Sequence, residues 1–261
     1  MESLQVALHA NAELVSMRPR NPNMIDRIGP TRRPQRKVRG YQNWRSLLFL
    51  HWPVPVADLR QVVPESLQLD VYEDVAYVGM VPFVMQRVRP RWWPACSGFN
   101  FLEMNIRTYV VHENQPGVYF FSLDADSALA VWAARKFWGL PYYHAEMSIE
   151  HDGKETHYQI ARRRAGIRHD VRYRVGESVG PSQPDTLEHF FLERYLMFVE
   201  RHGKLHVGQV HHTPYPAHTV ELLHVDDGFL SATGFDCCEG PPAFAHFASG
   251  VDVEVFDLVP I

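Results

Sequence analysis

The segment Phe99–Val111 reads FNFLEMNIRTYVV and places an acid, an amide and a guanidinium at alternate positions. Side chains of an extended chain alternate between faces. Leu102, Met104, Ile106 and Val110 then form a plain apolar face, and Phe99, Phe101, Glu103, Asn105, Arg107 and Tyr109 form the other. A carboxyl, a carboxamide and a guanidinium flanked by aromatic rings suit the wall of a small-molecule pocket. Glu103 would serve there as general acid or base, its pKa raised by apolar surroundings. Arg107 would clamp an anionic group through paired hydrogen bonds. The plain alternative is that this face meets solvent, as one face of an antiparallel sheet commonly does. Strand rise separates Glu103 from Arg107 by about 13 Å. They do not pair closely with each other, and each needs another partner.

Two further segments carry groups that could act with them. In Trp44–Trp52, alternation puts Arg45 on the face of Leu47, Phe49 and His51. A guanidinium on so apolar a face lies at the wet end of the strand or pairs with a carboxylate. In RKFWGLPYYHAEM, residues 135–147, Tyr142, Tyr143 and His144 follow a Gly-Leu-Pro turn. Tyr and His act as acids and bases once their surroundings shift their pKa values. Alternation sends Tyr143 away from Tyr142 and His144, and core filling by these rings is the bland alternative. His206, His211, His212, His218 and His224 lie close in sequence without the fixed spacing of a zinc motif, so no metal is expected. Cys237-Cys238 has no activating histidine beside it, and buried cysteine commonly behaves as a small hydrophobe. Neither a glycine-rich phosphate loop nor Gly-x-Ser-x-Gly occurs, and no cofactor is expected.

The elements that position these residues are mostly strands. Runs rich in β-formers cover Trp44–Trp52, Val75–Val88, Phe99–Val111, Val118–Leu123, Tyr143–His151, Glu155–Arg163 and Arg168–Glu177. Further strands are expected over Lys204–His212, Thr219–His224 and Val251–Leu258. Asn114–Gly117 and Asp152-Gly153 read as hairpin turns, and Pro82 marks an edge or a bulge. The clearest helix runs from Ser127 to Trp138, capped by Asp124 or Asp126 and stopped at Gly139 and Pro141. Short helices are expected over Val56–Val63 and from Asp185 or Thr186 to about Arg194. Many strands, few helices and hairpin connections argue for a mainly β fold, a curled antiparallel sheet or barrel.

Residues 1–40 differ, with four prolines and eight arginines or lysines between Arg18 and Arg39. This basic N-terminal arm reads as a flexible solvated linker, or as an arm packed on a neighbouring subunit. Residues 41–261 form a single domain. The 261-residue chain carries a net charge of −4, which gives no basic field for nucleic acid. No stretch reaches the roughly 20 apolar residues of a membrane helix, and no secretory signal opens the chain. Three cysteines, two of them adjacent, suit a reducing, cytoplasmic compartment.

Several phrases are similar to known sequences. DLRQVVPESLQLD at 58–70 and the stretch Phe101–Pro141 resemble acetoacetate decarboxylase. LLFLHWPVP, VGMVPFVM, FLEMNIRTYV, GVYFFSLDA, ARKFWGLPYYHAEM, FFLERYLMF and HFASGVDVEVF resemble the bacterial YqjF-like family of unknown function in the same superfamily. The resemblance spans about residues 41–258. It implies an acetoacetate decarboxylase-like closed or cone-shaped antiparallel β-barrel with a few short helices.

The decarboxylase forms a Schiff base on one lysine, with a second lysine depressing its pKa. By this resemblance Tyr142 and Tyr143 fall at the two lysine positions, and a phenol cannot form an imine. Glu103 falls at a pocket glutamate and Arg45 at a pocket arginine, while a second pocket glutamate falls near Val78 and is lost.

Three functions remain open at this stage. One is an enzyme acting on a small carboxylated or keto compound by acid/base chemistry of the lyase or isomerase type. Glu103 and Tyr142 would be catalytic, and Arg45, Arg107, Asn105, Phe101, Tyr143 and His144 would bind the ligand. The second is a protein that binds or senses a small molecule without turnover. The third is a structural homo-oligomer with a vestigial pocket.

Overall fold

The period-two segments form strands that start and stop where turn residues and prolines dictate. The computed structural model describes residues 25–201, 203–235, 238 and 240–261. In chain order the elements begin with β1 (Gly40–Val54), α1 (Val56–Val62), β2 (Gln68–Leu69), β3 (Ala76–Pro90), β4 (Phe99–His112) and β5 (Gln115–Ala125). They continue with α2 (Ala128–Trp138), β6 (Tyr142–His144), β7 (Glu146–Asp152), β8 (Glu155–Arg162), β9 (Ile167–Gly180) and α3 (Leu187–Leu192). The last are β10 (Leu196–Arg201), β11 (Lys204–His211), β12 (Ala217–Asp227), α4 (Phe229–Ala232), β13 (Phe244–Val255) and β14 (Val259–Pro260). The fold is mainly β with a few short helices, as expected.

Seven strands join in a ring in the order β1-β3-β4-β5-β10-β11-β13, and β13 returns to β1. The ring is uneven. The parallel β5–β10 contact and the antiparallel β11–β13 contact each rest on two residue pairs, whereas β1–β13 pairs over eleven. From β13 the sheet continues through β12, β9, β8 and β7.

Two apolar clusters follow from strand alternation. Leu47, Phe49, Tyr77, Phe83, Tyr109, Leu123 and Tyr142 share the inner cluster with Phe190 and Phe191 of α3. Leu48, Leu50, Val78, Met80, Met104 and Ile106 point the other way and pack with Tyr158, Val171 and Tyr173. Both faces of β1, β3 and β4 are therefore buried.

Local chemistry explains the differences from the sequence reading. Ser127 caps α2, its side chain accepting from the Ala130 amide, where Asp124 or Asp126 was expected. The first hairpin turns on Glu113 and Asn114, both at positive φ, a pattern that matches strand twist. Pro82 lies on a central strand, not an edge. Four residues of β1 face three of β3 beside it, a bulge that accommodates its missing N–H. β13 begins at Phe244, ahead of the expected start at Val251.

The first 24 residues of the basic segment lie outside the described residues, as does Cys237; Cys238 is buried. From residue 25 the segment lies on the ring. Arg27 reaches both carboxylate oxygens of Asp70, at 2.8 and 2.7 Å. Pro30 and Val38 are buried, and the Arg39 amide donates to the Val255 carbonyl. No helix among the described residues is long and apolar enough to cross a membrane.

Candidate functional site

β4 is a central strand between β3 and β5, and its inner face packs into the inner apolar cluster beneath Phe190 and Phe191. Phe101, Glu103, Asn105, Arg107 and Tyr109 are all buried, Glu103 with 3 % of its surface exposed. The solvent-facing alternative for this face is therefore not what the chain adopts. Phe99, at the strand's start, is exposed.

Glu103 meets Tyr142. β6 runs parallel to β5 and pairs Leu123 with Tyr142, while β5 pairs Ala125 with Glu103. The Gly139 turn, at φ 67, ends α2 and lets Leu140-Pro141 lead the chain back to this position. The Tyr142 hydroxyl donates to Glu103 Oε2 across 2.7 Å. Burial pushes the Glu103 carboxyl up to about 8, against the stabilising hydrogen bond from Tyr142 and with the nearby Asp124 charge adding to the rise. Burial and the adjacent Glu103 hold the Tyr142 phenol well above its ordinary value. At neutral pH the pair is thus a carboxylic acid beside a phenol, both neutral.

A second polar group lies farther along the same face. The His51 Nε2 and Tyr109 hydroxyl are 2.7 Å apart, and the His51 ring stacks on Phe191 with centroids at 3.8 Å. The Phe191 carbonyl accepts from both Tyr109 Oη and Arg107, each at 3.3 Å. Gly79 makes room, since a Cβ there would stand 3.2 Å from both the His51 ring and the Tyr109 oxygen. Burial, with the charge of Arg107 and the neighbouring His246, keeps His51 well below its ordinary pKa and so neutral.

Arg107 differs from the buried Arg194 and the partly buried Arg162. Arg194 pairs with Asp70 at 2.6 Å, and Arg162 grips the buried Asp124. Arg107 has no carboxylate at ion-pair distance among the described residues, and its Nε has no partner there. It lies over the rings of Phe49 and Tyr109 at 5.6 and 5.9 Å. An unpaired guanidinium in apolar surroundings is costly unless something compensates it.

The remaining expected residues lie elsewhere. Ser46 at φ 51 and Gly250 at φ 147 kink β1 and β13 at the same level. Alternation flips there, so Trp44 packs on the inner cluster and Arg45 does not. Arg45 instead bonds Asp252 and the Trp44 and Val251 carbonyls, correcting the placement beside Leu47 and Phe49. Tyr143 is exposed, with the Arg162 guanidinium 3.9 Å above its ring. His144 lines an open groove of about 480 Å³ beside α2, with Val131, Trp132 and Arg135. All four lysines, Lys37, Lys136, Lys154 and Lys204, are exposed.

Sequence reasoning missed His51, Phe191 and Glu193. His51 sat on a face already named, and Gly79 opposite it in VGMVPFVM was the available signal. Glu193, buried under Tyr195 and the Tyr215 amide, carried no signal in its local pattern.

The DUF2071 family, described as an uncharacterized conserved protein, matches residues 41–252. The chain belongs to the DUF2071 family. One relative, the uncharacterized protein YqjF of Bacillus subtilis strain 168, is 36% identical over 219 residues, covering 83% of this chain and 90% of YqjF. Among solved structures, an acetoacetate decarboxylase-like enzyme from Sphingomonas wittichii RW1 matches with a TM-score of 0.61 at 10% identity, over 87% of this chain and 94% of that one. The enduracididine biosynthesis enzyme MppR, complexed with pyruvate, matches with a TM-score of 0.59 at 13% identity, over 87% and 91%. Acetoacetate decarboxylase from Legionella pneumophila strain Philadelphia 1 gives 0.56 at 13%, over 93% and 97%. This DUF2071 chain therefore has the acetoacetate decarboxylase-like fold.

Proposed function

We propose that this DUF2071 protein is an enzyme of the lyase or isomerase type that acts on a small carboxylated or keto compound by acid/base chemistry. The observation that carries this reading is the buried Glu103 carboxyl, raised to about 8 and held by the Tyr142 hydroxyl. A carboxyl in that range is poised to give and take protons near neutrality. Protonated Glu103 donates its O–H to a substrate carbonyl oxygen while solvent water takes a proton from the adjacent carbon, giving the enol, the Glu103 carboxylate and hydronium; the reverse step returns a proton, or a deuteron in heavy water, to that carbon. The carboxylate left behind is stabilised by the Tyr142 hydroxyl. Pyruvate bound to MppR is a small keto acid of the class this chemistry suits. An imine route has no inner residue to use, because every lysine is at the surface.

A non-catalytic binding role is the second reading. The packing of Phe190 and Phe191 over His51 and Tyr109 favours it, since aromatic walls suit retention of an apolar ligand with one polar end. Deuterium exchange at the carbon beside the carbonyl separates the two, followed by proton NMR in heavy water with small keto acids. Catalysis predicts exchange with wild type and none with Glu103→Gln, at nearly unchanged affinity. Binding without exchange in either protein overturns the enzymatic reading.

A further inference from the structure

The connection between β3 and β4 closes with RPRWWPACSGF over residues 89–99. Its Trp92 is the most exposed large hydrophobic side chain among the described residues, at 77 %, and Phe99 is exposed as well. Trp93 stands between them. Its ring lies 5.7 Å from Trp92 in a T-shaped contact and 5.6 Å from Phe99. The connection is a formed turn. The Trp93 amide donates to the Pro90 carbonyl, and the Ser97 amide and hydroxyl both donate to the Pro94 carbonyl. At its base the Arg87 amide donates to Asn100 Oδ1 at 2.8 Å. Rings presented outward by an ordered turn mark a surface that meets something apolar.

Cations surround these rings. The Arg91 amide donates to the Arg39 carbonyl, which places Arg39, and Lys37 two residues before it, beside the turn. Lys37, Arg87 and Arg91 are exposed, and Arg89 lies half-buried over the Tyr41 ring. None of these four has a carboxylate at ion-pair distance among the described residues. The carboxylates of the neighbouring β13 end are engaged elsewhere: Asp252 with Arg45, Glu254 with Arg33 and Asp257 with Arg39. The whole chain carries a net charge of −4, so four unpaired cations around one aromatic turn make a local positive field.

We infer that this turn docks the protein on an anionic lipid surface, with Trp92 and Trp93 seated at the headgroup level and Arg89, Arg91 and Lys37 against the acidic headgroups. Tryptophan joins an apolar body to a polar N–H, which suits that layer. Each cation close to such a surface adds to the attraction, and rings and cations together hold where either alone is weak. Two other partners fit less well. A second copy meeting this face would set the same cations against each other about a two-fold axis. Single-stranded nucleic acid stacks its bases on open ring faces, whereas Trp92, Trp93 and Phe99 pack on one another. The inference stands apart from the acid/base reading of Glu103.

Co-sedimentation of the full chain with vesicles tests this, using phosphatidylcholine alone and an equal mixture of phosphatidylcholine and phosphatidylglycerol. The mixed vesicles should bind about tenfold tighter or more, and the binding should weaken as salt rises. Arg89→Ser combined with Arg91→Ser should weaken binding to the mixed vesicles about tenfold. Trp92→Ser combined with Trp93→Ser should also weaken it, and should remove the blue shift of tryptophan emission that the vesicles produce in wild type. Both double variants change side chains at the surface and should keep the wild-type unfolding temperature. Equal binding to the two vesicle types, binding to neither, or binding that both double variants leave unchanged overturns the inference. So does tighter binding of a single-stranded oligonucleotide than of the mixed vesicles. Sedimentation velocity completes the test: an oligomer that the tryptophan variant converts to monomer would make this face a contact between copies and overturn the lipid assignment.

Discussion

The Tyr142 hydroxyl and Glu103 Oε2 are 2.7 Å apart inside the ring, and both residues are buried. The hydrogen bond favours the carboxylate, while burial favours the acid, and burial is the larger effect. Tyr142→Phe removes the favourable partner and leaves the burial. The Glu103 carboxyl should then titrate higher than about 8, with an otherwise unchanged fold by circular dichroism. A titration that stays put or falls would mean the phenol does not stabilise the anion.

Glu103 also links stability to pH. Its folded pKa of about 8 lies above the ordinary 4.5, so the folded state holds a proton that the unfolded chain has released. The stabilisation is complete below about 4.5 and is lost as pH rises through 8. Between those values wild type should lose on the order of 5 kcal/mol relative to Glu103→Gln, which cannot titrate. Urea unfolding of both proteins across that range measures it. Parallel pH profiles would contradict the assignment.

His212 acts in the opposite sense. It stacks on Tyr195 at 4.4 Å, and burial lowers its pKa to about 4. Its contribution is present above 6.5 and is lost as pH falls through 4, on the order of 3 kcal/mol in all. His212→Phe should therefore flatten the acid limb of the stability profile. An unchanged acid limb would place the proton uptake elsewhere.

Period two made the inner face of β4 legible: Glu103, Asn105, Arg107 and Tyr109 fall on one side because nothing interrupts alternation there. It misled at Arg45 because a single residue, Ser46, adopts positive φ and flips the parity. The warning was Pro82, which lies on the partner strand, so the bulge it signals is not local to Arg45. Tyr142 was reachable through its place after the Gly-Leu-Pro turn. Its partnership with Glu103 was not, since β6 and β5 pair in parallel across a helix and only the register decides which ring faces inward. Phe191 escaped for a related reason: a six-residue helix carries too few turns for a face to be read.

The two structural features at this kink should behave differently. Arg45 is about one-third exposed and its partner Asp252 three-quarters exposed. Arg45→Ala should cost about 0–1 kcal/mol and leave ligand affinity unchanged. The kink beneath it is stricter. A Cβ on Gly250 would collide with the Trp44 carbonyl at a φ that side chains rarely adopt. Gly250→Ala should cost about 1–3 kcal/mol by chemical denaturation. A larger loss from Arg45→Ala than from Gly250→Ala would reverse this ranking.

Asp70 joins the N-terminal segment to the wall. It accepts from Arg27 and from the buried Arg194, whose guanidinium lies 4.3 Å over Phe190. Asp70→Asn leaves Arg194 buried without its countercharge and should cost about 3–5 kcal/mol. Arg27→Ala, which leaves the inner pair intact, should cost less. Equal losses would mean that Arg27 alone carries the network.

Carbon-13 titration of the Glu103 side-chain carboxyl, assigned by comparison with Glu103→Gln, tests the central claim most directly. A midpoint near 8 in the free protein is the expected result. A midpoint near the ordinary 4.5 would show a carboxylate at neutral pH and contradict the neutral acid on which the proposed chemistry depends.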